Sequence, residues 1–305
     1  MIGTVEGRLM GVFPALPVPL HDDKTLDLEG LGRIIDRVID RGVPGISVLG
    51  GGGEAVYLTG EERQQVVGFA AERIARRALL FAGVVELPTA VAVYEATRFR
   101  ELGADVLLVA PPLDDALPQV INHYSAVARD AGLPILYDHD PKRTHVELTP
   151  EDMGKLFVEV ALVGIRNGAS SAADAIELIH GVGRPIAMFA GQSTDCLACL
   201  EGGGVGAICP LAVILPTTAR RLVDEYRAGS TEAAKVALSW LLDATAVVLP
   251  ELGKLNSNGI FHAGIKEVLV SAGIIESVAT RDPGPPPSDL WRQRIREIAK
   301  DLLEL

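Results

Sequence analysis

Eight short apolar runs, built mostly from Val, Leu, Ile and Ala, alternate with longer amphipathic stretches between residues 11 and 209. The runs fall at 11–17, 45–49, 79–84, 105–110, 134–137, 162–166, 186–190 and 206–209. Successive runs lie roughly 20–30 residues apart, the length of one strand plus one helix. Strands that alternate with helices pair in parallel through right-handed crossovers, and near-continuous apolar strands are those of a sheet covered by helices. The pattern predicts an α/β chain folded as a (β/α)8 TIM barrel. An open doubly wound sheet is the alternative. The absence of a G-x-G-x-x-G after the first strand argues against its dinucleotide-binding form.

Helix boundaries carry their own signals. Thr59-Gly60-Glu61-Glu62 reads as a capping box. Thr149-Pro150-Glu151-Asp152 places a hydroxyl cap before a first-turn proline and two acids. Gly42, Gly103 and Gly132 read as left-handed helix stops before strands. After Tyr226 the strand signal ends, and 230–249, 260–272 and 288–303 read as helices, the last preceded by the stiff run Asp282-Pro283-Gly284-Pro285-Pro286-Pro287. The expected organisation is a barrel over 1–226 with C-terminal helices over 227–305 packed on it as one structural unit.

Composition narrows the functional classes. With 28 Lys and Arg against 40 Asp and Glu, the formal net charge is -12, which disfavours nucleic acid as a partner. No apolar run is long enough to span a bilayer, and residues 1–10 lack the apolar core of a signal peptide. The three cysteines, Cys196, Cys199 and Cys209, do not form a disulfide pattern, so a cytoplasmic location is expected. The CxxC spacing of Cys196 and Cys199, with no second pair, reads as core packing.

In such a barrel the active site lies at the C-terminal ends of the strands. Polar candidates there are Gly50–Glu54, Glu86, Asp114 and Asp115, residues 137–140, Arg166 and Asn167, and residues 192–195. The run Gly51-Gly52-Gly53 is either an amide nest for an anion or a mobile turn. Tyr137 is either a proton-transfer group, which needs a cationic neighbour because a phenol titrates near ~10, or a packed core tyrosine. Arg166 is either a bidentate anion clamp or half of a structural ion pair. His139 between Asp138 and Asp140 could seed a metal site, but no ligand spacing supports one, and no cofactor is expected.

Taken in order, these segments resemble the dihydrodipicolinate synthase and N-acetylneuraminate lyase family. Pro14-Ala15-Leu16-Pro17-Val18-Pro19 is similar to its opening strand, and Gly50–Glu54 stands where it has Gly-Thr/Ser-Thr/Ser-Gly-Glu. Tyr137 with Pro141 and Arg143-Thr144 resembles its tyrosine, proline and arginine loop, with one residue inserted. Gly164-Ile165-Arg166 resembles its Gly-Ile/Val-Lys strand end. Phe189-Ala190-Gly191, 202–210, Gly264-Ile265-Lys266 and Arg281-Asp282-Pro283 complete the series.

The resemblance implies condensation or cleavage of a 2-oxo acid such as pyruvate through a lysine imine on the sixth strand. Arg166 stands in that lysine's place, and Gly51 and Gly52 in place of the loop hydroxyls, so the expected protein is a lyase or aldolase relative without imine chemistry. Expected catalytic residues are Tyr137 and Arg166. Expected contacts to a small carboxylate substrate are Gly51, Gly52, Gly53, Arg143, Asn167 and Gly191. Lys142 is the nearest substitute amine, and Lys266 reads as structural. A catalytically silent binding protein and a metal-assisted aldolase using some of Glu54, Glu86, Asp138 and His139 are the alternatives. The family implies a homotetramer or homodimer, with Leu113 replacing an aromatic that reaches across the dimer.

Overall fold

The structure, a computed structural model, describes residues 5, 7–50, 53–85, 88–113, 116–168, 176, 177, 180–248, 258–281 and 288–302. Eight parallel strands form one sheet: β1 (Gly11–Pro14), β2 (Gly45–Val48), β3 (Leu79–Val84), β4 (Val106–Val109), β5 (Ile135–His139), β6 (Gly164–Asn167), β7 (Ala187–Ala190) and β8 (Gly206–Cys209). Each pairs with its sequence neighbour, β1 also pairs with β8, and a parallel bridge from Ala15 to Ser47 brings β1 onto β2 to close the barrel. The expected TIM barrel is the observed fold.

The helices that cover the sheet are α1 (Leu28–Asp40), α2 (Gly60–Ile74), α3 (Thr89–Glu101), α4 (Leu117–Ala131), the single turn α5 (Pro141–Thr144), α6 (Pro150–Glu159), α7 (Cys196–Glu201) and α8 (Pro216–Arg227). Helices α9 (Thr231–Val248), α10 (Asn258–Ser271) and α11 (Asp289–Leu302) follow the barrel. The local signals act as read. The Thr59 hydroxyl accepts from the Glu62 N–H while the Glu62 carboxylate accepts from the Thr59 N–H. Gly132 ends α4 at φ 65°, a conformation open to glycine without steric cost.

Two apolar layers result from the two-residue period of the strands. Phe13, Phe81, Leu136, Phe189 and Ile208 point into the barrel. The Phe13 ring meets Phe81 and Phe189 edge-on, at centroid distances of 4.6 Å and 5.5 Å. The alternate residues Val12, Leu80, Ile135, Ile165 and Met188 face the helices and join the larger outer core. Each such fully buried side chain contributes about 1.5–3 kcal/mol of transfer free energy. Ala234, Leu241, Ile265 and Leu269 of the C-terminal helices belong to the same outer core, so those helices are packed on the barrel.

Candidate active site at the ends of strands five and six

The strand boundaries differ from the sequence reading where it matters most. Strand five was expected to stop at Tyr137, but it runs on through Asp138 and His139, which pair with Arg166 and Asn167 of β6. Counting along β5, Ile135 and Tyr137 lie in the outer core and Leu136 lies in the barrel. Asp138 therefore shares the inner face with Leu136, and its register partner Arg166 shares it with Phe189 of β7.

Arg166 is buried, 7% exposed, inside the barrel. Its Nη1 donates to Asp138 Oδ1 at 2.8 Å. The other donors make long contacts, Nε to Ile208 O and Nη2 to Gly191 O, both at 3.4 Å. Arg143, on the turn α5, donates from Nη2 to Asp138 Oδ2 at 2.6 Å. One carboxylate thus bridges two guanidiniums, with each oxygen taking one. Burial opposes ionisation of Asp138, but Arg166 and Arg143 outweigh it and hold the group below the usual carboxylate range. Asp138 is therefore an anion with both oxygens committed, and the pair it leaves around it carries net positive charge.

Glycines make this approach possible. A Cβ on Gly191 would lie 2.5 Å from Asn167 O and 3.1 Å from Arg166 Nη2. One on Gly168 would lie 3.0 Å from Arg166 Nη1 and 3.2 Å from Asp140 Oδ2. Backbone here replaces side chain so that the guanidinium can lie against the wall.

The same parity places Tyr137 on the other face. Its ring packs against Tyr124 of α4 and His139, at centroid distances of 5.3 Å and 5.8 Å, on the helix side of the sheet. The side chain is fully buried, its hydroxyl has no hydrogen-bond partner among the described residues, and burial pushes the phenol well above its ordinary pKa. It does not share the barrel mouth with Arg166. Asn167 pairs with His139 in register on that outward parity and is buried, so it too is not set beside Arg166 on the inner face. The Gly53 N–H, expected to meet a ligand, closes a turn onto Gly50 O at 2.9 Å. Gly51 and Gly52, with Glu86, Asp114 and Asp115, lie outside the described residues. Lys142 is exposed on α5.

Lys266 is buried far from solvent and bonds Glu54 Oε2 at 2.5 Å and Ala279 O at 2.7 Å. Glu54 Oε1 accepts from the Arg281 N–H at 2.8 Å. Of the metal donors suggested by the sequence, Glu54 is paired with Lys266 and Asp138 with two arginines, while Glu86 lies outside the described residues. No group of three His, Cys, Asp or Glu among the described residues is arranged to hold a metal ion. The cysteines are free and buried, and Cys209 shares a 2.8 Å hydrogen bond with Ser193.

Residues 8–302 match the Dihydrodipicolinate synthetase family. The chain belongs to that family. A 4-hydroxy-tetrahydrodipicolinate synthase from Xanthomonas campestris pv. campestris is 31% identical over 74% of this chain and 76% of its own length. One from Xanthomonas axonopodis pv. citri is 30% identical over 97% of this chain and 96% of its own. The crystal structure of dihydrodipicolinate synthase from Aquifex aeolicus superposes with a TM-score of 0.87 at 26% identity, covering 97% of this chain and 100% of that one. A prophage protein of the dihydrodipicolinic acid synthase family from E. coli K12, solved in complex with pyruvate, superposes with a TM-score of 0.87 at 24% identity, covering 96% of this chain and 98% of that one. Within this family member, the groups that converge on the inner face at the mouth are Asp138, Arg143 and Arg166, with Asp140 beside them. Asp138 and Asp140 stood among the strand-end candidates, but their part in the site was missed. The run Ile135-Leu136-Tyr137 is apolar at every position, so the sequence carries no alternation that would have told the inner face from the outer.

Proposed function

We propose that this chain is a lyase-type enzyme that acts on a 2-oxo acid or related small carboxylate, with Arg166 as anion clamp and without a lysine imine. The observation that carries the reading is the buried Arg166 guanidinium on the inner face at the C-terminal end of β6, where the resemblance puts a Schiff-base lysine. A guanidinium stays protonated, so it cannot attack a ketone, but it binds a carboxylate or an enolate oxygen through two parallel donors. The long contacts to Ile208 O and Gly191 O leave Arg166 donors that a substrate anion can take over. The names of the curated relatives and the pyruvate bound in the E. coli neighbour support the substrate class. Assembly as a homodimer or homotetramer belongs to the same reading, with exposed Val56, Tyr94 and Leu113 available to an interface. So does a cytoplasmic location, supported by three unpaired thiols.

Borohydride reduction with pyruvate, read by mass spectrometry of the intact protein, tests the mechanism. The expected result is no adduct. A reduced adduct on any lysine overturns the reading. In parallel, pyruvate should raise the melting temperature of the native protein and leave Arg166→Ala unmoved. Binding without any turnover would instead mark a silent ligand-binding member of the family.

A further inference from the structure

The site holds two aspartates in opposite circumstances, and the difference assigns their roles. Asp138 has both oxygens bonded to guanidiniums and a side chain only 4% exposed. Asp140, two residues on and of the same strand parity, is the residue that precedes the turn α5. Its backbone oxygen takes the N–H groups of Arg143 and Thr144, but its carboxylate caps nothing. The nearest cation to that carboxylate is Arg143 Nε at 3.7 Å, beyond hydrogen-bonding range, and its side chain is 22% exposed. A Cβ on Gly168 would meet Arg166 Nη1 at 3.0 Å and Asp140 Oδ2 at 3.2 Å, so the carboxylate and the guanidinium flank the same point beside that glycine. A part-exposed carboxylate with no hydrogen bond to its oxygens among the described residues therefore stands beside a fixed guanidinium at the C-terminal end of the barrel.

We propose that Asp140 is the proton-transfer group of this site, acting as base on C3 of a bound 2-oxo acid while Arg166 receives the charge that develops on the C2 oxygen. The proposal rests on the 2-oxo acid reading above. The C3–H electron pair becomes the C2=C3 bond, the carbonyl π pair moves onto oxygen beside the guanidinium, and the proton ends on Asp140. Return of that proton to C3 restores the ketone, and addition of the enolate to an aldehyde carbonyl is the carbon–carbon bond-forming alternative. The oxyanion is stabilised by a charge already in place, as electrostatic preorganisation requires. Among the described residues, the charged and titratable groups around Asp140 are Asp138 and His139 at the end of β5, Arg143 on α5 and Arg166 on β6. Burial pushes the Asp140 carboxyl above its ordinary range, Arg143 opposes the shift and Asp138 adds to it. Asp138 is shifted the other way. Two neighbouring carboxyls driven apart in this manner separate into a fixed anion and a proton carrier. Tyr137 is on the other face of the sheet, and Asp138 has no free oxygen, so neither competes for the role.

Proton exchange measures this step without knowledge of the second substrate. The full chain is incubated in D2O with pyruvate or 2-oxobutyrate, and loss of the C3 proton signal is followed by NMR, beside the ligand-induced rise in melting temperature. The wild type should exchange C3 protons well above the buffer rate. Asp140→Asn should slow that exchange by about 100-fold or more while keeping the ligand-induced shift, and Asp140→Glu should restore part of the rate. The wild-type rate should rise with pH through an inflection above the ordinary carboxylate range, and that inflection should vanish in Asp140→Asn. Wild-type-like exchange in Asp140→Asn overturns the proposal, as does a wild type that binds the oxo acid and exchanges nothing. A wild type that neither oxo acid stabilises fails at the binding arm, which sinks the substrate reading and the proposal with it.

Discussion

The buried phenol of Tyr137 is costly where it stands. A hydroxyl withdrawn from water without a partner forfeits about 1–3 kcal/mol, so removing it leaves less to compensate. Tyr137→Phe should melt at the same temperature as the wild type or higher, with a gain of up to about 1 kcal/mol, and should keep both pyruvate binding and exchange. Loss of either in that variant would return the phenol to the site. A second residue-scale expectation concerns Glu62. Its carboxylate accepts from Arg281 Nη2 at 2.6 Å and Nη1 at 2.7 Å and from the Thr59 N–H at 2.9 Å. The Arg281 hydrogen bond, with the Thr59 contacts, lowers its pKa from 4.5 to about 2. The folded value lies below the unfolded one, so this contribution is fully present above about 4.5 and is lost as pH falls towards about 2. Glu62→Gln should therefore flatten the acid limb of stability across that window and change little near neutrality relative to its own pH 5 value. Urea midpoints measured against pH check it, and an unchanged acid limb would show that other carboxylates set the limit.

At the scale of elements, strand parity decides which side chain is functional. Sequence reading located β5 and β6, their order and their C-terminal ends, because apolar runs and helix caps are local signals. It ended β5 at Tyr137, because Asp138, His139 and Asp140 look like a polar loop. The ladder from Asp138 to Arg166 extends the strand through Asp138 and His139, since a buried carboxylate flanked by two guanidiniums is tolerated inside a barrel where a lone one is not. Alternation along β5 sets Asp138, rather than the tyrosine, on the inner face. That consequence depends on a tertiary partner at Arg166 and is invisible in the β5 segment by itself. Helix starts were more legible because their chemistry lies within four residues. The Thr59 capping box is such a case, and Thr59→Ala should cost about 1 kcal/mol by urea denaturation, with pyruvate binding intact. A loss near zero would mean that α2 is held by its packed face alone.

Across the whole molecule, the C-terminal segment is tied back to the barrel through one buried ion pair. Lys266 on α10 reaches Glu54, which follows the glycine run after β2, and it also donates to Ala279 O. Glu54 in turn takes the Arg281 N–H, and the Arg281 side chain bonds Glu62 and Lys24 O, so the 266–281 stretch grips both the β2 loop and the start of α2. Burial pulls the lysine pKa down against the pull of Glu54, while Lys266 and His262 hold the glutamate below its usual range despite its burial. The pair is a match of two otherwise expensive charges, which sets how it should respond to mutation. Lys266→Met leaves Glu54 ionised, buried and short of its partner, and should cost about 3–5 kcal/mol in chemical denaturation. Glu54→Gln strands the ammonium in the same way. The double variant Glu54→Gln/Lys266→Met removes both charges and keeps an amide oxygen for the Arg281 N–H, so its loss should be clearly smaller than the sum of the single losses. A double-mutant cycle over these proteins reads the coupling directly, and strictly additive losses would mean that the C-terminal helices are held by apolar packing and not by this tie.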